Sequence, residues 1–303
     1  MLKYAVKRIL LAIVTVFIIA AITFFSMNAI PGGPFSKEKA GDPAVQAVLE
    51  KRFGLDKPVH EQFIMYLGNV LRGDFGISLK TGRDISQTIS ESFAVSARLG
   101  GMAAATAVCI GLVLGAIAAL SRGKWPDRLI IFVTTLFVSV PSFILATLLL
   151  LVFCLMLGWF GVWSPNNPNY VLPVISLALY PMSYITRLTK SSMLDVLGQD
   201  YIRTARAKGV RESLVIFKHA LRNALIPVIT YVGPMTAYIL TGSMVVETVF
   251  TVGGLGTKFV SAINNQDYPM IMGVTLFLAI LMVAATLISD LVYKVVDPRI
   301  SFD

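Results

Sequence analysis

Charge is scarce in this chain. Only 14% of its 303 residues are Asp, Glu, Lys or Arg, against about a quarter in a water-soluble domain. So few polar side chains cannot cover a water-facing surface, which excludes an ordinary soluble enzyme or binding module and leaves lipid as the solvent. Cysteine and histidine are scarcer still. Cys109 and Cys154 lie inside long apolar runs, and His60 and His219 are far apart. Residues so placed support neither a disulfide framework nor a metal site, and the cysteines read as small apolar filler. A phosphate-binding loop of the form Gly-x4-Gly-Lys-Ser/Thr is missing too, because Gly123-Lys124 is followed by Trp125. The chain therefore reads as a non-enzyme with no cofactor, no metal and no nucleotide site of its own. Ionisable residues are also absent from the centres of the long apolar runs. Arg98 and Asp290 stand near run ends, where a long side chain can reach water. Ion-coupled carriers keep such groups at mid-depth, which weighs against that class.

What is present is apolar: 56% of the residues are hydrophobic, and the mean hydropathy is +0.75. Crossing the hydrocarbon core takes about 20 such residues in a helix. The stretches 9–30, 96–120, 129–157, 224–246 and 270–293 qualify, and 171–186 is a shorter sixth containing Pro173 and Pro181. The first run follows Lys3, Lys7 and Arg8 and is longer than the apolar core of a secretory signal, so it is expected to stay as a span. Pro141 inside 129–157 predicts a tilt or kink that absorbs the excess length. Trp159 and Trp163 just beyond it suit the headgroup layer.

The net charge of +9 is placed unevenly. If 171–186 crosses, the basic residues agree: Lys3, Lys7 and Arg8, then Arg122, Lys124 and Arg128, then loop 187–222 from Arg187 to Arg222, then Lys294 and Arg299, all share one side. By the positive-inside rule that side is the cytoplasm. The expected architecture is an all-α integral membrane protein of six transmembrane helices, with both termini cytoplasmic. Segment 31–95 is too long for a simple connection. Asp42-Pro43 predicts a helix start with Gly54 as its stop, a second helix runs from near Pro58 to Arg72, and a short third leads from Asp84 toward Ser92. They form either a small outer cap or an interfacial segment resting on lipid.

The most informative stretch is Gly198-Gln199-Asp200-Tyr201-Ile202-Arg203-Thr204-Ala205-Arg206-Ala207-Lys208-Gly209-Val210. Asp200 is expected to cap a short helix that Gly209 ends in a left-handed turn. Tyr201, Ile202 and Ala205 would share one face, and Arg203 and Arg206 could fork onto carboxylates of a partner. A basic loop that only fixes topology and touches anionic lipid is the plainer alternative.

These residues carry a resemblance. Tyr201 to Gly209, followed by His219-Ala220-Leu221-Arg222-Asn223-Ala224-Leu225-Ile226-Pro227, resembles the loop of bacterial type I ABC importer permeases of the dipeptide, oligopeptide and nickel branch. Gly73-Asp74-Phe75-Gly76-Ile77-Ser78 with Thr81-Gly82-Arg83, Thr241 to Phe250, and Asp297-Pro298-Arg299 agree with it. The opening through Pro31-Gly32-Gly33-Pro34-Phe35 is most similar to the B subunit of oligopeptide permeases. The wider superfamily's Glu six residues before the glycine is Arg203 here, so a salt bridge made by that Glu does not carry over. Where the branch usually has Pro-Gly stands Val252-Gly253-Gly254.

The resemblance implies a permease subunit of a binding-protein-dependent oligopeptide importer in the bacterial inner membrane. Its implied partners are a second permease in a heterodimer, two cytoplasmic ATPases and an extracytoplasmic peptide-binding protein, with no nucleic acid. Residues 1–30 would be the N-terminal span, 31–95 the extracytoplasmic helical segment, and 96–303 a five-helix permease core with coupling loop 187–222. Tyr201, Arg203, Thr204, Ala205, Arg206, Ala207, Lys208 and Gly209 would couple to the ATPase. Glu247, just past a span, could touch substrate or the binding protein, or serve as a structural partner at a helix end. Dipeptide, nickel or another small solute is the alternative cargo; an ion-coupled carrier and a channel are the rival classes.

Overall fold

The computed structural model describes residues 2–29, 57–240 and 244–296. Its regular structure is helical. Among the described residues, strand-like pairing is limited to the isolated bridges Ile77 with Asp84 and Ser164 with Asn167. In order come α1 (Leu2–Ala29), α2 (Val59–Leu71), α3 (Ile85–Leu120), α4 (Trp125–Ser139) and α5 (Ser142–Leu149), which continues as a π-helical stretch, Leu150–Met156. Then follow α6 (Val171–Leu197) and α7 (Asp200–Ala207). One helical turn, Glu212–Leu214, and a second π stretch, Val215–Leu221, lead into α8 (Arg222–Leu240). The last helices are α9 (Met244–Val249), α10 (Leu255–Asn264) and α11 (Tyr268–Val296).

By length and composition, Val6–Ala29, Ile85–Leu120, Val171–Leu197, Glu212–Leu240 and Tyr268–Ser289 can each cross a membrane, and the α4–α5 pair makes a sixth span if its two halves count as one. That pair bends by 103°, far more than the expected tilt or kink. Val140 (φ −88°, ψ 128°) and Pro141 (φ −54°, ψ 137°) are both extended. Proline supplies no N–H to the preceding turn and pushes the residue before it out of helical geometry, so two residues in succession leave the helix.

Contacts divide the chain into two units. One takes the described residues up to Val95 together with Gly254–Ala284; the other takes Ser96–Gly253 and the described residues from Ala285 onward. In the first, α2 stands on α1: Phe63 is buried, its ring 5.3 Å from those of both Phe24 and Phe25. A helix so packed is held by protein on one side, while Ile64 and Leu71 remain exposed on the other. Ile85 and Ile89 pack with Leu255, Met270 and Val274. Beside them the buried carboxylate of Asp267 accepts Ser78 Oγ–H at 2.5 Å and the Leu79 N–H at 3.2 Å. The short helix expected from Asp84 toward Ser92, leading into the next span, forms the first turns of α3 and is continuous with it. The helix expected from Asp42 lies outside the described residues, as do Pro31 to Phe35.

The second unit is built on α6. Its 171–186 portion was the weakest span by apolarity, yet the helix runs on to Leu197, and half of its span window is buried. The two facts share a cause, because a helix half covered by protein has less need of an all-apolar surface. Small residues let α3 approach it. A Cβ at Gly111 would fall 2.8 Å from Ile185 Cγ2, and one at Gly115 would fall 2.5 Å from Thr189 Cβ. This is the small-xxx-small packing of membrane helices. Past residue 186 the cationic Lys190 is neutralised by Asp127 of α4 at 2.5 Å. Asp127 also accepts the Gly123 N–H at 2.9 Å. Trp163 does not sit at an exposed interface: it is buried, so close to Gly253 that a Cβ there would lie 3.1 Å from its ring. Trp159 is exposed.

Candidate functional site

α7 is eight residues long and ends on a complete stop signal. The Gly209 N–H donates to the Arg206 carbonyl at 2.9 Å and the Val210 N–H to the Ala205 carbonyl at 3.2 Å. Those two bonds define the Schellman motif, in which the residue after the cap takes positive φ. Gly209 has φ +76°. Val210 and Ala205 pack in the same cluster, the apolar contact that accompanies the motif. At the other end the reading needs correction. Asp200 is the first helical residue; Gln199 holds the N-cap position with extended backbone and makes no side-chain cap bond. Asp200 instead lies in the first turn, where its charge suits the helix dipole, 3.6 Å from Arg203 in an exposed pair.

One side of α7 is fixed. Ile202 is fully buried among Val215, Ala220, Val196 and Leu197. Tyr201 does not share that face, as the sequence reading expected: it is exposed, and its phenol oxygen accepts Asn223 Nδ2–H at 2.8 Å. Around the helix Tyr201 lies about 40° from Ala205 but about 100° from Ile202, at the rim of that face, and its ring stays outside the buried cluster of Ile202, Val215 and Ala220. Arg206 also differs from expectation. Its guanidinium is forked onto Glu212 of its own chain, Nη2 to Oε1 at 2.7 Å and Nε to Oε2 at 3.2 Å. That bidentate bond raises the Arg206 pKa further and braces the loop after Gly209. The fork proposed for a partner is thus made internally. Tyr201, Arg203, Thr204, Arg206, Ala207, Lys208 and Gly209 remain exposed together, and Ala205 is half-buried.

Glu247 is elsewhere and inaccessible. It is 0% exposed, and its Oε1 accepts Ser96 Oγ–H at 2.8 Å. The side chain is thus held within the protein, against the helix that carries Ser96. The residue pair that the sequence reading missed is Asp127–Lys190. Its members are 63 positions apart, and nothing local couples them.

Residues 111–302 match the family described as binding-protein-dependent transport system inner membrane component, and residues 1–100 match the N-terminal family of the same membrane component. The dipeptide transport system permease protein DppB of Bacillus subtilis is 45% identical over 302 residues, covering 99% of this chain and 98% of its own. The oligopeptide transport system permease proteins OppB of Haemophilus influenzae and Escherichia coli K12 are 40% and 39% identical, each over the full length of both chains. Among solved structures, a chain from the inward-facing MetNI methionine ABC transporter aligns with a TM-score of 0.56 at 17% identity, covering 70% of this chain and 97% of its own; at that identity it supports the fold. With both parts of the chain matched and relatives similar end to end, this multi-spanning protein belongs to the inner membrane components of binding-protein-dependent transport systems, the permeases of ABC importers.

Proposed function

We propose that the chain is one permease of a peptide importer, that it pairs with a second permease, and that α7 is the handle by which a cytoplasmic ATPase moves it. The observation that carries the coupling reading is the two-sidedness of α7. Ile202 locks one side into the second unit, while Tyr201, Arg203, Thr204, Ala207 and Lys208 stand exposed on the other. A short helix fixed to its own protein and open on its far side can transmit displacement, which a loose basic loop cannot. Peptide is the cargo class because relatives similar over the whole length carry dipeptide and oligopeptide in their names. The positive-inside tendency of the basic loops supports a cytoplasmic α7 and cytoplasmic termini, with a peptide-binding protein on the opposite side delivering the cargo.

In this reading, nucleotide-driven closure of two ATPases favours one arrangement of the spans over the other, a rigid-body change biased by differential binding. The path of displacement is short, since Ile202 packs on Val215 and Ala220, which lead directly into α8. A route that must pass peptides of many sequences is wide and weakly selective, so discrimination rests with the binding protein.

Gly209 provides the test. Its surroundings are open, with nothing within 4 Å of an added Cβ, so a substitution there acts through the backbone alone. Left-handed geometry costs an L-residue about 1–2 kcal/mol, with Asn the best tolerated. Gly209→Val is expected to insert normally yet lose ATPase co-purification and peptide uptake, while Gly209→Asn keeps most of both. Normal uptake and normal ATPase retention in Gly209→Val would refute the docking role.

A further inference from the structure

A span facing lipid presents apolar side chains, because hydrocarbon offers polar groups no hydrogen bonds. The exposed faces of α1 (Leu10, Ile13, Phe17) and α4 (Leu129, Phe132, Leu136) follow that rule. α6 and α8, which belong to the two least apolar spans, break it. On α6, Tyr180, Tyr184, Arg187 and Ser191 recur at i, i+4, i+7 and i+11, a single helix face. Tyr180 is 51% and Tyr184 45% exposed. On α8, Asn223, Pro227, Tyr231 and Tyr238 make a second row, closing on Tyr238 at 72% exposed. The two rows adjoin: the Tyr184 and Tyr231 rings lie 4.3 Å apart, tilted by 32°. Behind them the helices are sealed by Ala178, Met182 and Ile185 against Val228, Met235 and Ile239. Arg187 sharpens the contrast, because its Nε and Nη2 are buried with no hydrogen-bond partner. A cation left so within a span calls for acceptors that hydrocarbon lacks.

We propose that this face of tyrosines and arginine is a wall of the translocation path, along which an extended peptide slides. The inference rests on the reading of the chain as a peptide permease. A phenol hydroxyl both donates and accepts, so it can meet the amide N–H and C=O that every peptide carries, while the ring offers an apolar surface to whatever side chain passes. Arg187, toward the α7 end of the row, places a positive charge beneath the face that attracts the carboxylate terminus. Such chemistry recognises peptide backbone without reading sequence, as a shared route for varied cargo requires.

The test uses the whole complex in inverted membrane vesicles, with Cys109 and Cys154 first replaced by Ala. Tyr180→Cys, Tyr184→Cys and Tyr238→Cys are compared with the lipid-facing control Phe132→Cys. A charged, membrane-impermeant thiol reagent is expected to label the three path positions roughly tenfold faster than the control, since charge keeps it out of hydrocarbon, and transported peptide should slow that labelling. Labelling only by a membrane-soluble maleimide would show that the face meets lipid. Crosslinking to the second permease without labelling would show a packed interface. Either result overturns the proposal. Should a cysteine variant fail to assemble, Tyr184→Phe, which removes a single oxygen, is expected to lower uptake several-fold with ATPase retention unchanged, and full uptake in it overturns the proposal as well. ATPase retention in the same membranes reports separately on the permease reading.

Discussion

At the scale of single residues, the second unit depends on positions where nothing larger or differently charged fits. Gly115 is the sharpest case, with Thr189 Cβ at 2.5 Å and the Thr186 carbonyl oxygen at 2.6 Å from the site of an added methyl. Gly115→Ala is expected to destabilise by ~1–3 kcal/mol, the usual cost of overpacking a filled core. Gly101, also within α3, has nothing within 4 Å, so Gly101→Ala should be neutral or gain ~0.5–1 kcal/mol from helix propensity. Thermal unfolding of the purified complex in detergent compares the two, and equal effects would remove the close-approach argument. Charge behaves likewise at Asp127 and Lys190. Asp127→Asn strands an ammonium that is 20% exposed, so the loss should fall toward the low end of the ~3–5 kcal/mol typical of breaking a buried pair. Adding Lys190→Met should recover part of it. If the double variant is worse than the single one, the pair is not what holds α4 to α6.

At the scale of elements, legibility in the sequence tracks the range of the interactions involved. The apolar runs, the helix ending near Arg72 and the left-handed stop at Gly209 are set by neighbours within a turn or two, and a linear reading reaches them. The same holds for the Gly111-x-x-x-Gly115 spacing, a signal that was available and that apolarity alone overlooked. Three features were out of reach because their causes are remote. Past 186, α6 carries Lys190 to its partner Asp127 on α4. Arg206 is forked onto Glu212 because that residue folds back beyond Gly209. Glu247 is buried because Ser96 of α3 comes alongside it. The Asp200 cap was misplaced by a single residue, the scale at which helix ends are hardest to read. Pro141 signals a perturbation in the sequence, but the size of its effect depends on Val140 leaving the helix as well, and that couples two residues. The π-helical Val215–Leu221 had no sequence signature in hand. It lies where displacement of α7 would enter α8, and such irregular turns recur at functional sites.

At the scale of the whole molecule, the 103° break in α4–α5 decides how the chain threads the membrane. If the pair enters and returns on the same side, five spans remain, and every segment after α5 is inverted relative to the six-span order. Loop 198–211, carrying Arg203, Arg206, Lys208 and Arg211, would then lie opposite the N-terminal Lys7 and Arg8 and the Arg122–Arg128 loop. Such a split opposes the tendency of short basic loops to stay in the cytoplasm. If the pair crosses, all of these clusters share a side, and segment 157–170, which holds no Lys or Arg, lies on the other. The pair is therefore expected to cross as one broken span. Fluorescent-protein fusions, which mature only in the cytoplasm, should be bright at both termini, and a cysteine placed at Asn166 should be labelled from outside intact cells after Cys109 and Cys154 are replaced. A dark C-terminal fusion beside a bright N-terminal one would make the pair re-entrant, turn α7 outward and detach it from any ATPase, while the packing of α6 on α3 and α8 would stand unchanged.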